Sequence, residues 1–207
     1  FSAIAVPLAV VLSLLLAIVL ESKLPFRSQF RTFFLSPMMV PVASIVLIWQ
    51  VLFHYNGAVN DLLGVFGVEK IDWLKSSYSI IVIVILFLWK NLGYNMILFM
   101  AALQSIPTDI LEAARIDGAS TGQIFKYIQI PAIMLMVDFV LFDNIRGALQ
   151  VFDIPFVMTA GGPGYASSTF TLYTIKTAFT FSNFGLAATM AVAIMLMIVI
   201  IYVIQNK

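Results

Sequence analysis

Residues 80–103 read IIVIVILFLWKNLGYNMILFMAAL, and this stretch decides the fold class. It holds a single charged side chain, that of Lys90. An α-helix rises about 1.5 Å per residue, so roughly 20 apolar residues cross the hydrocarbon core of a bilayer. A helix that is apolar all round belongs in a large core or in a membrane. The stretch therefore predicts a membrane-spanning helix.

The composition of the whole chain points the same way. Of its 207 residues, 62% are hydrophobic and 10% are charged, against roughly 45–50% and about 25% in soluble domains. A disordered chain is excluded because disorder needs low hydrophobicity and high charge. Transmembrane barrels alternate apolar and polar residues in segments of about 10, whereas these apolar runs are unbroken. The sequence predicts an all-α, polytopic helical membrane protein.

Four more apolar stretches bring the expected number of spans to about five. The predicted spans are 2–20, 33–53, 80–103, 131–152 and 185–204. They form a single transmembrane domain over residues 1–207, with a polar connection at 104–130. Val59–Phe66 is amphipathic and is predicted to lie on the surface. Residues 1–20 lack the basic region of a signal peptide and are too long for its apolar segment.

The distribution of Lys and Arg predicts the orientation, because basic residues accumulate in cytoplasmic loops. With the loop at 21–31 in the cytoplasm, six basic residues lie on that side and three on the other, while Lys90 and Arg146 lie within spans. The six are Lys23, Arg27, Arg31, Arg115, Lys126 and Lys207, and the three are Lys70, Lys75 and Lys176. Trp49 and Trp73 then fall near the outer interface, which suits the indole group. The connection at 104–130 is predicted to be cytoplasmic.

Residue counts exclude several kinds of site. The chain has no cysteine and one histidine, His54, so it has neither a disulfide nor a thiolate or histidine-cluster metal site of its own. No stretch matches the phosphate loop G-x-x-x-x-G-K-[ST], and the net charge of +1 gives no reason to expect nucleic acid. We expect no catalytic residue, no metal and no bound cofactor in this chain, because no nucleophile–base pair is visible.

The connection at 104–130 reads QSIPTDILEAARIDGASTGQIFKYIQI and predicts two short helices with a sharp turn between them. Pro107 suits the first turn of a helix, where its missing N–H costs nothing. Gly118 is suited to a left-handed helix stop. Ser120 and Gln123 have the S-x-x-Q spacing of a capping box. On these signals alone, a plain amphipathic connector is as good an interpretation as a functional loop.

The same residues resemble the EAA loop of ABC importer permeases. EAA at 112–114, DGA at 117–119 and IP at 130–131 follow the order and spacing of that loop. Further matches are Trp89, Gly93-Tyr94, AAL at 101–103, Ile106-Pro107, QVFD at 150–153, TAGGP at 159–163, Phe184-Gly185 and Ala187-Ala188. They cover nearly the whole chain. It looks like the carbohydrate branch of the family, which includes maltose- and glycerol-phosphate-type importers.

The resemblance implies a type I ABC importer transmembrane domain, a fold that commonly has one further span before the first one seen here. It implies a permease subunit in a bacterial or archaeal cell membrane, which moves a sugar, oligosaccharide or sugar-like solute inward by alternating access. The implied partners are a second homologous permease subunit, two ATP-binding cassette subunits and an extracytoplasmic solute-binding protein. ATP and Mg²⁺ would be bound by the cassette subunits, and the chain itself would not be an enzyme.

The resemblance also assigns the contact with the ATPase, because the EAA loop of the family docks there as a coupling helix. The contact candidates are Glu112, Ala113, Ala114, Asp117 and Gly118. Glu112 would pair with a basic residue of the ATPase, and the small alanines would permit close approach. Gln123 departs from the family pattern, since related members often have an aromatic residue at this position.

Inserting a charged side chain at the centre of a membrane helix costs about 2.5–3.5 kcal/mol. Each polar residue within a span therefore needs a partner or a cavity. They either hold helices together or line a solute path. By resemblance to sugar permeases, the expected path residues are Lys90, Asn91, Tyr94, Asn95, Asn144, Gly147, Ala148 and Val151. A structural role is expected for Asp138, Asp143 and Arg146, of which the last two can pair at i, i+3.

Two other functions stay open at this point. The same fold could import an amino acid, a polyamine or an anion. An ion-coupled secondary transporter would instead use Asp138 and Asp143 as proton sites. Uptake that depends on ATP indicates the importer, whereas uptake that depends on a proton gradient indicates the secondary transporter.

Overall fold

The computed structural model describes residues 1–21 and 26–205, and within these ranges it contains helices and no strand. The helices are α1 Ser2–Glu21, α2 Arg27–Met39, α3 Val42–Leu52, α4 Ala58–Val65, α5 Ser79–Gln104, α6 Thr108–Ile116, α7 Thr121–Ile124, α8 Ile130–Ala132, α9 Met134–Gln150, α10 Asp153–Thr159, α11 Phe170–Phe179 and α12 Phe184–Gln205. A π-helical turn, Phe125–Gln129, joins α7 to α8. The all-α prediction is confirmed. Lys23 and Lys207, which entered the predicted orientation, lie outside the described residues.

Three described helices, α1, α5 and α12, are long and apolar enough to cross a membrane. Two more candidates are bent pairs: α2 with α3 at 101°, and residues 121–132 with α9 at 66°. Residues 1–21 and 26–205 therefore contain three such helices, or up to five if each bent pair counts as one span. Where the bilayer crosses each helix stays a prediction.

The second expected span, 33–53, is not one helix, and this corrects the sequence analysis. α2 begins at Arg27, inside the stretch predicted to be a loop, and it ends before Val40, which is extended with φ −87° and ψ 134°. Pro41 explains the break, since proline disfavours the helical conformation of the residue before it and cannot donate to the helix ladder. The chain turns sharply here instead of continuing.

The fourth expected span, 131–152, also differs at both ends. Ile133 leaves helical geometry with φ −97° and ψ 7°, so that the straight helix α9 begins only at Met134. At the other end, Val151 is extended with ψ 122°, and α9 stops at Gln150. The short helix α10 then starts as a separate element.

α5 lies at the centre and packs against α1, α2, α9 and α10. One apolar cluster joins α1, α5 and α9 and consists of Ala17, Leu20, Met96, Phe99, Met100, Leu103, Ile106, Ile133 and Val140. A second cluster joins α3, α5 and α10 and consists of Ile45, Val46, Phe53, Val82, Ile83, Leu86, Val151, Ile154 and Met158. Because α5 contributes to both clusters, it positions the helices on either side of it.

Gly93 allows α2 to lie directly on α5. A Cβ atom at this position would be 1.9 Å from the carbonyl oxygen of Phe34 and 2.5 Å from its carbonyl carbon. Both atoms belong to the backbone, so a side-chain rotation cannot relieve the clash. In the sequence Gly93 stands out only as part of a family pattern, and the close approach of the two helices gives its physical role.

Asn60 anchors the segment that follows α4. Its side-chain amide donates to the carbonyls of Tyr55 at 2.9 Å and Ile71 at 2.7 Å. Its oxygen accepts from the Ile71 amide at 3.2 Å and from the Trp73 indole at 2.9 Å. Both donors and both lone pairs of the amide are thus used. Composition and periodicity predicted a surface helix here but gave no sign of this buried side chain.

We predict that Gly93→Ala destabilises the chain by about 1–3 kcal/mol or more, because α2 and α5 must separate. Gly147→Ala is the matched control, since a Cβ there meets nothing within 4 Å, and its effect should stay within about 1 kcal/mol. The measurement is the thermal midpoint of the purified protein in detergent. Equal midpoints for the two variants would contradict the close approach.

Candidate functional site

The connection between α5 and α9 carries the helix α6, none of whose nine residues is fully buried, although Leu111 packs partly buried against the apolar cluster of α1, α5 and α9. Pro107 occupies its N-cap position with an extended ψ of 131°. Asp109 lies in the first turn and Arg115 in the last, and these charges complement the helix dipole at both ends. These local charges and the core contact of Leu111 together stabilise α6.

The turn after α6 needs Gly118 for its backbone angle. Gly118 has φ +80°, while a Cβ atom there would meet nothing within 4 Å. Three amides close the helix end: Asp117 donates to Ala113 at 2.9 Å, Gly118 to Arg115 at 3.1 Å, and Ala119 to Ala114 at 3.0 Å. This left-handed stop is the one that the Asp-Gly pair predicts, and the structure confirms it.

The predicted capping box is also present at the start of α7. The Ser120 amide donates to the Gln123 side-chain oxygen at 2.8 Å, and the Gln123 amide donates to Ser120 Oγ at 3.3 Å. Gln123 was the departure from the family pattern, and its capping role gives a local reason for that residue. The chain then passes through the π-helical turn into α8 and bends by 66° into α9.

The accessible surface of α6 combines apolar and acidic groups. Ile116 is 86% exposed and Ile110 is 49% exposed, while Glu112 and Ala113 are exposed beside them. Neither isoleucine is among the contact candidates predicted from the sequence, which are the small and acidic residues.

Asn95 and Asn144 meet in the interior between α5 and α9. The Asn95 amide donates to the Asn144 side-chain oxygen at 3.1 Å, and the Asn144 amide donates to the Val140 carbonyl at 2.7 Å. Their exposed fractions are 1% and 3%, and Ala148 and Val151 are also buried. In this conformation these four expected path residues face other helices, and solute contact by them stays a prediction.

The other expected path residues on α5 are partly accessible. Asn91 bonds the carbonyl of Phe87 at 2.7 Å, and Tyr94 is half-buried. Lys90 Nζ lies 4.0 Å from the carboxylate of Asp153, the first residue of α10. Asp153 was noted only as part of a family pattern, and its partnership with Lys90 was not foreseen because the two are 63 positions apart in sequence.

Among the charges expected to be structural, Asp143 and Arg146 form the predicted pair. Arg146 donates to Asp143 at 2.7 Å and to the side-chain oxygen of Gln150 at 3.3 Å. Asp138 lies elsewhere, in a groove of about 860 Å³ between the ends of α5, α9 and α12. The Gln205 side-chain amide bonds the Asp138 carbonyl at 2.6 Å.

We predict that Asn95→Leu and Asn144→Leu each cost about 0.6–2 kcal/mol, because each leaves a polar partner unpaired in the interior. The double variant should cost less than the sum, since both ends of the bond are then apolar. Thermal midpoints in detergent measure this. Additive costs would show that the bond is not formed. Uptake lost in a stable double variant would indicate a direct role in transport.

Comparison with known proteins gives a family match over most of the chain. Residues 9–207 match the family described as binding-protein-dependent transport system inner membrane component. The chain is 34% identical over 160 residues to the sulfoquinovosyl glycerol transport system permease protein of Agrobacterium fabrum, covering 76% of this chain and 52% of that protein. It is 37% identical over 153 residues to the trehalose/maltose transport system permease protein of Thermococcus litoralis, covering 73% and 50%. The chain spans about half the length of these relatives.

The fold is similar to that of a solved transporter. The crystal structure of a bacterial alginate ABC transporter in complex with alginate pentasaccharide-bound periplasmic protein contains a chain that matches with a TM-score of 0.88. The match covers 99% of this chain and 73% of that chain, at 20% sequence identity. At this identity the likeness concerns the fold, and it confirms the expected ABC importer transmembrane fold.

Proposed function

The chain belongs to the family of binding-protein-dependent transport system inner membrane components, and on that premise we propose that it is a permease subunit of an ATP-driven sugar importer. It is a multi-pass protein of the cell membrane. The observation that carries the proposal is α6, a capped helix with no buried residue that is placed between two membrane helices.

The mechanism follows from how α6 is connected. Cassette subunits that close on ATP would push α6 as a unit, because a left-handed stop and a capping box define its C-terminal side. The movement would pass through α7, the π-helical turn and α8 into α9, which packs against α1, α5, α11 and α12. Rigid-body rotation of these helices would open the site alternately to each side of the membrane.

The relatives support a carbohydrate solute. Both permease proteins compared above are named for sugars or sugar derivatives, and they are 34% and 37% identical to this chain. The solute is accordingly a sugar, an oligosaccharide or a sugar-like compound. Import of an amino acid, a polyamine or an anion by the same fold is the alternative, and binding assays with the cognate solute-binding protein distinguish them.

The proposed assembly has the composition implied by the family. A second homologous permease subunit would complete the pathway, two cassette subunits would bind ATP and Mg²⁺, and an extracytoplasmic protein would deliver the solute. The similar alginate transporter was solved with a periplasmic protein bound to a pentasaccharide. Mass spectrometry of the purified complex identifies the subunits that accompany this chain.

We predict that Glu112→Lys lowers ATP-dependent uptake at least about tenfold, because it replaces a charge-assisted contact worth roughly 1.5–3 kcal/mol with a repulsion. Asp109→Lys is the matched control, as it makes the same charge change at another exposed site on α6. It should cost only the helix-dipole contribution of about 0.3–1 kcal/mol.

Uptake is measured in proteoliposomes containing the whole complex. Unchanged uptake and unchanged assembly of the Glu112→Lys complex would contradict the coupling role of Glu112. Uptake that persists without ATP and collapses with the proton gradient would instead favour the secondary transporter.

A further inference from the structure

An arginine without a counter-charge lies in the first half of α2. Arg31 is half-buried, and its Nε atom is shielded from solvent and has no hydrogen-bond partner. Within residues 1–21 and 26–205, the ion pairs all involve other basic side chains, so no carboxylate lies within 4.0 Å of this guanidinium. Burying a cation without a counter-charge is unfavourable. Arg31 is therefore suited to an anion that this part of the chain does not supply.

The neighbouring Arg27, by contrast, is neutralised within the chain. Its Nη2 atom donates to Glu21 Oε2 at 3.0 Å, and the same oxygen accepts from Gln104 Nε2 at 3.1 Å. Glu21 ends α1 and Gln104 ends α5, so these bonds hold the start of α2 at the ends of both helices. Arg31 follows Arg27 by four residues and so lies about 6 Å further along the axis of α2. The unpaired charge is thus close to one end of the bundle.

Three phenylalanines form an exposed face on the same half of α2. Phe26, Phe30 and Phe33 follow one another at i, i+4 and i+7, which places them on one side of the helix. They are 71%, 46% and 66% exposed. No acidic residue occurs at positions 26–40. Aromatic side chains on one face, beside basic ones and without acidic ones, are typical of a helix at a membrane surface.

The location of this half of α2 indicates which anion is available. It lies at the end of α5 that leads into α6, which the distribution of basic residues predicts to be the cytoplasmic side. The cytoplasmic surface of a membrane carries anionic lipids, and basic pockets between helices at this surface bind their headgroups. A guanidinium can hold a phosphate group with two parallel hydrogen bonds.

We propose that Arg31, together with Phe30 and Phe33, forms a binding site for an anionic phospholipid. The guanidinium binds the headgroup phosphate, and the two phenylalanines contact the acyl chains. A zwitterionic lipid fits less well, because its ammonium group would bring a second cation to a segment without an acidic residue. The site is separate from α6 and goes beyond the proposed transport function.

A carboxylate from another subunit is the competing occupant, and the surface around Arg31 favours lipid. The exposed surface of α2 stays apolar to its end, where Met38 and Met39 are 53% and 85% exposed. One carboxylate would neutralise Arg31 but would leave these side chains and the phenylalanine face in contact with water. A phospholipid combines the anion with two apolar chains, and it therefore covers both parts of the surface.

Native mass spectrometry of the purified whole complex in detergent, titrated with dioctanoyl phosphatidylglycerol, tests the site. Arg31→Gln should weaken the tightest lipid site at least about tenfold, because a charge-assisted contact is lost. Arg31→Lys, which keeps the charge but not the two parallel bonds, should weaken it roughly threefold. Lys126→Gln is the matched control, since it removes an exposed basic side chain on the same predicted side, and it should leave the site unchanged.

Three outcomes overturn the proposal. The first is an Arg31→Gln complex that binds phosphatidylglycerol as tightly as the wild type; if that variant does not assemble, unchanged affinity in Arg31→Lys has the same meaning. The second is equally tight binding of dioctanoyl phosphatidylcholine, which should bind about fivefold more weakly. The third is displacement of the lipid by inorganic phosphate, which would show that the site recognises a free anion.

A second measurement identifies the neighbour of α2 in the membrane. The chain has no cysteine, so Phe30→Cys can be labelled with a benzophenone maleimide in a complex whose other subunits carry no reactive cysteine. In vesicles with equal amounts of phosphatidylglycerol and phosphatidylcholine, illumination should enrich phosphatidylglycerol adducts about fivefold over those at Met195→Cys. Met195 is the control because it is 55% exposed on α12. An adduct with another subunit, or the same lipid ratio at both positions, contradicts the lipid site. Neither measurement depends on transport.

Discussion

Hydrocarbon offers no hydrogen-bond partner, and this constraint accounts for most of the arrangement of the chain. Backbone groups are satisfied within helices, and the breaks at Pro41 and Val151 divide the helices without introducing strands in the described ranges. Side chains follow the same rule. The amides of Asn95 and Asn144 pair with each other in the interior. Two pairs of opposite charges, Lys90 with Asp153 and Arg146 with Asp143, lie where the side chains are partly accessible.

Two kinds of prediction from the sequence were confirmed because they depend only on residues that are close together along the chain. Apolar run length predicted an all-α membrane fold, and turn chemistry predicted the left-handed stop at Gly118 and the capping box of Ser120 and Gln123. These signals involve residues within a few positions of one another. The Asp143–Arg146 pair was predictable for the same reason, since helical spacing alone brings the two side chains together.

Features that depend on contacts between distant residues were not predictable. Resemblance named Asn91, Tyr94 and Asn95 together as path residues, but only the packing of α9 shows that Asn95 is covered. The partnership of Lys90 with Asp153 and the approach of Phe34 to Gly93 likewise need the assembled helices. A proline within a predicted span signals a helix break, whereas the angle of 101° between α2 and α3 depends on what these helices pack against.

The π-helical turn at Phe125–Gln129 has a consequence for the rotation of α9. A π turn accommodates one residue more than an α turn of the same height. If that turn converts to regular α geometry, the helix beyond it changes its rotational phase by one residue, which is about 100°. The five residues between the loop helices and α9 can therefore rotate α9 relative to α6 in one discrete step of about 100°.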